Sequence, residues 1–553
     1  MNKQHIFFWD TTVNPVDYPK EIKDKFFELN IKYRKKFIIW FGKISKKYHN
    51  NLDWWIKIPA TRDPFKSQLY RNIIILEILK NKKFNQKIQK IVVDSSSLKR
   101  TISMNKIFKK NKTNINIKKK NSFIYYNVLK SIFFSLITYL LVRIFSKKKE
   151  LSKFLGITLI DTFIDYRSSE TDFIYPNLNK IIKKNKLKEI FFVPNFLENK
   201  NIYNLFRNIK LMSKKNYIFK ENYLNLKDFL FCIFETVFSK KNKDNFLKYD
   251  NVDYSLILRE ELNSKKEFYS EFQSRLNFLF IKKLKKNKIR VKKAINRFEN
   301  QSVDKAWNHG FRTFYPKAET LGYQGFLYFP HMPNQTPALY EEQAKIIPKK
   351  IVVTGKIFKK PRLEFCKKTD VIIGPSLGKQ DIFKKIEKKY DYKFVLALCG
   401  FRALDEKLLE WSFHALKNNK NLKIIIKPHP ILPLSKMKNY YPGKFKDQII
   451  ISNENVQLLL KKTEVLISSG PTSIILESLV YGCKLFYLVL DPSDLLILKK
   501  ISIPKFYFKF ISNKNDLLKN MNLLSKKKFV KVDNNLRSSF YTKLNKNNMR
   551  IFF

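Results

Sequence analysis

Apolar residues along this chain fall into two regimes. Through roughly the first 300 positions most recur at helical spacing, as in Leu69 to Leu79 and Asp228 to Phe238, among Lys- and Asn-rich segments such as Lys282 to Lys293. Two short apolar runs interrupt them. Ile6 to Trp9, ending at Asp10, and Lys90 to Asp94 predict strands flanking the helix at 69–79, the outline of an α/β lobe. From Ile351 the pattern changes to short continuous runs rich in Val, Ile and Leu: IVVTG, VIIGPS, FVLALCG, LKIIIKPHP, QIIIS, EVLISSGPTS and KLFYLVLD. They alternate with helical stretches at Glu406 to Leu416 and Ser473 to Val480. Continuous apolar strands separated by helices predict a parallel sheet covered on both faces, a Rossmann-like lobe whose ligands bind at the carboxyl ends of the strands.

Phe123 to Phe145 is apolar enough to need its own explanation. Lys130 and Arg143 lie inside it, lysines flank it, and its uncharged core, Ser131 to Val142, is shorter than the roughly 20 residues that cross a bilayer. An interfacial helix with lysines against anionic lipid fits these flanks better than a span, and a buried core helix satisfies the same length. Met1 to Trp9 has no signal-peptide pattern, which predicts the cytoplasmic side of the membrane.

Composition then narrows the class. With 44% hydrophobic residues over 553 positions the chain has material for several packed domains, which excludes wholesale disorder. Cys232, Cys366, Cys399 and Cys483 are far apart, so neither a disulfide framework nor a zinc site is predicted. The net charge of +63 suggests nucleic acid until its distribution is considered. Residues 1–347 carry +38, 348–500 carry +15 and 501–553 carry +10, a nearly even spread, Lys-dominated, that is richer only in the tail. That is a solvated surface with attraction for an anionic membrane, and no nucleic-acid partner is expected.

Ten of the twelve glycines fall from Gly310 onward, so ligand-handling turns are expected there. Lys427-Pro428-His429-Pro430 follows the strand Leu422 to Ile426; its prolines keep the backbone extended and would leave His429 at the top of the sheet, able to donate to a phosphate. Ser468, Ser469, Gly470, Thr472 and Ser473 join the strand Val465 to Ile467 to a helix and predict an anion site at its N-terminus, with Glu477 one turn in; ordinary helix capping is the plainer reading of the same residues. Trp307 to Arg312 and Leu321 to Phe326 look like cleft-lining loops bearing Arg312, Tyr323, Gln324 and Gly325. His309 and Glu319 are the local candidates for a general base, and Asp63, Asp165 and Glu170 are more distant ones. No P-loop, G-x-G-x-x-G or D-x-D pattern is present, so no metal or other cofactor is expected.

The combination of WNHGFR, GYQGF, KPHP and SSGPTS resembles the GT-B glycosyltransferases of bacterial capsule and lipopolysaccharide synthesis, and its HP and SS motifs are similar to those of CMP-sugar-using sialyl and Kdo transferases. Gly325 stands where that pattern has a histidine. The resemblance implies two Rossmann-like lobes: an acceptor-side lobe over 1–347, with a helical insertion at about 105–300, a nucleotide-sugar lobe over 348–500 and a basic helical tail over 501–553. It implies that Lys427, His429, Ser468, Ser469, Gly470, Thr472 and Ser473 hold the donor phosphate and Glu477 the ribose. An inverting transfer to a polysaccharide or lipid-linked acceptor at the inner face of the membrane follows. A CDP-glycerol-type phosphotransferase or a nucleotide-sugar epimerase on the same scaffold, and a basic membrane- or nucleic-acid-binding protein without catalysis, are the competing expectations.

Overall fold

A computed structural model describes all residues except 1–6, 106–113, 119–122, 165–174, 199–200, 326–331, 438–444, 471, 491–506 and 525–533. Three parallel sheets organise it. The first has β1 (Phe7–Asp10), β2 (Ile88–Val93) and β3 (Asn114–Ile117) in that order, and the expected strands near 6–9 and 90–94 are its first two. Between β1 and β2 run the long helix α1 (Lys20–Ser45) and α2 (Leu69–Lys80), the latter at the position its spacing predicts.

The second sheet comprises β4 (Ile157–Ile164), β5 (Ile190–Phe196), β6 (Val291–Arg297), β7 (Glu319–Gln324), β8 (Lys350–Val353) and β9 (Asp370–Ile373), in spatial order β5-β4-β6-β7-β8-β9. Two expectations are corrected here. The segment at about 105–300 is not a helical insertion, since it supplies β4, β5 and β6. The boundary at 347/348 also fails, because IVVTG and VIIGPS form β8 and β9, which pair with β7 in this sheet. The runs were legible as strands, but nothing local in a parallel strand says which neighbour it will join.

Along β4 alternate residues serve two cores. Ile157 and Leu159 pack on one side with Phe272 and Trp307, whereas Ile160 and Ile164 pack on the other with Phe192 and Leu321. Over this lobe lie α3 (Ile124–Phe145), α4 (Ile202–Ser213), α5 (Leu226–Val237), α6 (Phe268–Lys286) and α7 (Ser302–Phe314). In α7, Gly310 lets α6 approach closely: a Cβ there would stand 2.8 Å from the Ile281 side chain. WNHGFR is therefore the middle of a buried helix and not a loop.

The third sheet has β10 (Tyr392–Ala397), β11 (Ile424–Lys427), β12 (Ile449–Ile451), β13 (Thr463–Ser468), β14 (Lys484–Leu488) and β15 (Phe508–Ile511), in spatial order β12-β11-β10-β13-β14-β15. With α8 (Arg402–Asn418) and α9 (Ile474–Val480) it makes the expected Rossmann-like C-terminal lobe, beginning near 392. The protein is thus α/β with two Rossmann-like lobes, each built on six parallel strands.

The tail also departs from expectation. After β15, α10 (Lys514–Leu523) packs on α8, and α11 (Asn534–Phe540) then leads the chain back to the second sheet. There Phe552 is buried beside Tyr323, and the buried Lys293 of β6 donates to the carbonyls of Ile551 (3.0 Å) and Phe553 (2.6 Å). Gly355, just past β8, meets the carbonyls of Ser539 and Phe540 so closely that a Cβ would lie 2.4 Å from each. Gly355→Ala should therefore push the returning segment off: the expected outcome is a lowered thermal midpoint together with faster proteolysis between α10 and the C-terminus, read by mass spectrometry of limited digests.

Candidate active site at the strand ends

A short turn between β1 and β2 touches residues at the carboxyl ends of strands in both six-stranded sheets. That turn runs from Thr61 to Gln68. Arg62 sits in the left-handed region (φ 57°) and is buried, where its guanidinium donates to the Glu341 carboxylate (2.6 Å) and the Thr336 carbonyl (3.1 Å). Lys305 of α7 donates to the other Glu341 oxygen (2.6 Å), and Asn300 and the Ala338 N–H complete its shell. Burial alone would raise the Glu341 carboxyl, but Arg62 and Lys305 more than offset it and hold the group below its ordinary value.

The next residue, Asp63, is buried and accepts from Gln301 Nε2 (2.7 Å) and from the Phe65 N–H (2.9 Å). It lines a pocket of about 630 Å³ at the carboxyl ends of β4, β5 and β6, together with Phe163, Asn195, Glu198, Arg297 and Glu299. The wall combines carboxylate, amide and hydroxyl groups with Lys66, Lys265 and Lys266 and the apolar Phe163, Phe196 and Leu197, a mixture that suits a polyhydroxylated ligand with an apolar face. Among the described residues Asp63 forms no salt bridge, whereas Glu267 pairs with Lys66 (3.0 Å), Glu198 with Lys130 (3.7 Å) and Glu299 with Arg297. Below the pocket floor a buried Lys220 donates to Asn195, Gln273 and Asn277, and burial lowers its pKa against the opposing pull of Glu221 and Asp161.

Two residues beyond Asp63, Phe65 stacks on Phe401 of the C-terminal lobe at 4.8 Å. Phe401 follows Gly400, whose φ of +84° and closeness to His429 exclude a side chain: a Cβ would lie 2.5 Å from His429 Nδ1. Asp405 accepts from the Cys399 and Gly400 N–H groups (2.7 and 2.8 Å) and so fixes the turn between β10 and α8. His429 stands two residues past β11, half-buried, at the sheet top where KPHP placed it. Lys427 closes β11, half-buried, with its pKa lowered by burial.

The serines of SSGPTS take other positions than expected. Ser468 and Ser469 are fully buried, and their hydroxyls donate to the carbonyls of Ala397 and Leu488 (2.9 Å each), tying β13 to the ends of β10 and β14. Ser473 donates to Glu477 (2.8 Å), which is itself buried and bonded to Lys379 (2.6 Å) from the segment after β9. As positioned, these groups brace the lobe. Gly470 (φ +71°) is buried against Leu404 and Cys399, Thr472 is half-buried beyond it, and Pro471 lies outside the described residues.

Both local base candidates are displaced. His309 is buried in α7, stacked on Phe278 at 5.6 Å, and burial lowers its pKa. Glu319 begins β7, at the amino end of the strands and so opposite the pocket, where Lys350 (2.9 Å) and Lys293 (3.4 Å) hold it. Arg312 makes a two-pronged bond to Glu342 (2.8 Å each). Tyr323 and Gln324 are buried at the end of β7, donating to the carbonyls of Pro375 and Phe298, and Gly325 packs on the Tyr323 ring. Asp165 and Glu170 lie outside the described residues.

Comparisons with known proteins add shape only. No family model and no curated protein matches the chain. Among solved structures it is similar to the GtfA/B complex, with 12% identity over 67% of this chain and 93% of that one and a TM-score of 0.40. It is also similar to Acinetobacter baumannii MurG (9% identity, 72% and 98% covered, TM-score 0.38) and to Staphylococcus aureus MnaA with UDP (12%, 71% and 95%, 0.38). At these values the likeness bears on neither activity nor substrate.

Glu341→Gln would leave two buried cations facing a neutral amide and should cost about 3–5 kcal/mol in chemical denaturation. Because the folded carboxyl titrates below the ordinary glutamate value of 4.5, its contribution is complete above that pH and is lost as pH falls through the folded pKa. The stability gap between wild type and variant should therefore narrow on acidification.

Proposed function

We propose that the protein is a GT-B-like glycosyltransferase that moves a sugar from a nucleotide-activated donor, a CMP-sugar by the resemblance of its motifs, to a saccharide acceptor of a surface polysaccharide or lipid-linked kind. The observation that carries this reading is the Thr61 to Gln68 turn, which lines the polar pocket of one lobe with Asp63 and stacks Phe65 against the strand-end loop beside His429 in the other. A transferase needs two substrates held apart by lobes and joined at one point, and this turn is such a point.

In the proposed reaction the nucleotide phosphate lies at the end of β11, where Gly400 leaves room for the His429 ring to pack, with His429 and Lys427 stabilising it as it leaves. The acceptor occupies the pocket of the first lobe. Its hydroxyl oxygen forms the new bond to the anomeric carbon as the bond to phosphate breaks, its proton passes to Asp63, and the configuration inverts. Asp63 suits this role because neutral donors orient it and no cation is paired with it among the described residues. No metal takes part in the proposed step.

Thermal stabilisation by a panel of CMP, UDP and CDP should single out one nucleotide, and His429→Ala should abolish the shift. Asp63→Asn should leave that shift intact while lowering kcat by about 10²- to 10⁴-fold once a donor is known. A chain that responds to no nucleotide, or an Asp63→Asn variant of full activity, would contradict the assignment. Independently, Gly400→Ala should cost about 1–3 kcal/mol from backbone strain and eliminate nucleotide binding by displacing His429.

A further inference from the structure

Helix α3 is apolar on both faces. Its inward face mixes Phe134, Tyr139 and Val142 with Ser131, Ser135 and Thr138, whose hydroxyls bond back to carbonyls four residues earlier (2.7–2.8 Å). Its outward stripe is Tyr126, Leu129, Phe133, Leu140 and Ile144, each at least 55% exposed. A helix bathed in water keeps its outward face polar. Neighbouring α5 repeats the pattern, with Phe229, Cys232 and Thr236 inward and Leu226, Leu230, Phe234 and Phe238 outward. Tyr139 of α3 meets Phe229 of α5 at 4.8 Å, and both helices rest on α6, so the two apolar stripes share one side of the lobe.

Charge accompanies the apolar surface. Three residues past the end of α3 begins a depression of about 540 Å³ lined by six lysines, Lys148, Lys149, Lys153, Lys183, Lys186 and Lys188, with Glu150 as its one acidic residue. It lies at the amino ends of β4 and β5. The opposite end of α3 supplies Asn127 and Ser131 to the wall of the Asp63 pocket. The helix, about 33 Å long at 1.5 Å per residue, thus runs from the cationic depression to the candidate acceptor pocket.

We propose that α3 and α5 lie flat on an anionic bilayer, with the lysine depression holding lipid phosphate headgroups and the Asp63 pocket opening at the membrane plane to receive a lipid-linked acceptor. Apolar stripes at the acyl boundary with lysines at headgroup level are complementary to such a surface in both polarity and charge. The acceptor class rests on the transferase reading; the docking does not.

The test is sedimentation of the full chain with vesicles of phosphatidylcholine, alone or mixed with phosphatidylglycerol. Strong binding only to the anionic vesicles is expected, and at about 1 kcal/mol per lysine the triple variant Lys148→Glu, Lys153→Glu, Lys183→Glu should bind them at least roughly 100-fold more weakly at low salt. Leu129→Asn, Phe133→Asn, Leu140→Asn, all at exposed positions, should remain folded by circular dichroism and stay in the supernatant. Binding of inorganic phosphate without vesicle binding would make the depression a site for a free anion and overturn the proposal. So would wild-type protein that ignores anionic vesicles, an apolar variant that binds like wild type, or light scattering that shows a dimer broken by that variant, which would assign the face to a second copy. Nucleotide stabilisation measured on the same samples separates the two readings: a nucleotide response without vesicle binding removes the docking alone, and vesicle binding without a nucleotide response removes the transferase alone.

Discussion

The arrangement of the candidate site depends on one buried carboxylate. Glu341 holds Arg62 and Lys305 in a space closed to water, and each partner belongs to a different part of the chain: Arg62 to the turn before α2, Lys305 to the first turns of α7. Two cations around one anion in low dielectric have no alternative partners of comparable quality, so the geometry is over-determined. That over-determination tolerates the left-handed backbone at Arg62, which in turn points Asp63 and Phe65 to opposite sides of the turn. The position of a candidate base thus follows from electrostatics about one residue away from it.

The C-terminal lobe uses hydroxyls and one carboxylate for a similar end. Ser468, Ser469 and Asp405 consume main-chain donors and acceptors at the ends of β10, β13 and β14, where the ladder stops and polar groups would otherwise be left open. Fixing those strand ends leaves Gly400, His429 and Lys427 half-buried together at the strand ends. Residues that look like ligand contacts in sequence are here the frame that makes such contacts possible.

How much of this was legible follows from the range of each interaction. The strands of the third sheet and the position of His429 are readable because continuous apolar runs and flanking prolines act locally. Strand β6, VKKAINR, was hidden because its lysines mimic a solvated helix, and only the distant C-terminus reveals that Lys293 has carbonyls to bond. His309 and Glu319 look like nearer candidates than Asp63 because sequence does not show which end of a strand or which face of a helix meets a pocket. The Phe65–Phe401 and Lys379–Glu477 contacts join residues 336 and 98 positions apart, and no local pattern encodes them. A glycine straight after the apolar run of β10, with an aspartate five residues on, is a local signal of this strand-to-helix turn, since Asp405 in the first turn of α8 accepts from the Cys399 and Gly400 N–H groups.

The returning tail has a consequence for the order in which the molecule is made. Lys293 and Tyr323 lie in the middle of the first large sheet, yet the groups that cover them come from residues 551–553, past the second lobe. During synthesis that sheet must wait, with a buried-to-be ammonium still exposed, until the second lobe and the segment behind it have emerged. The lobe that is translated first is therefore the one finished last.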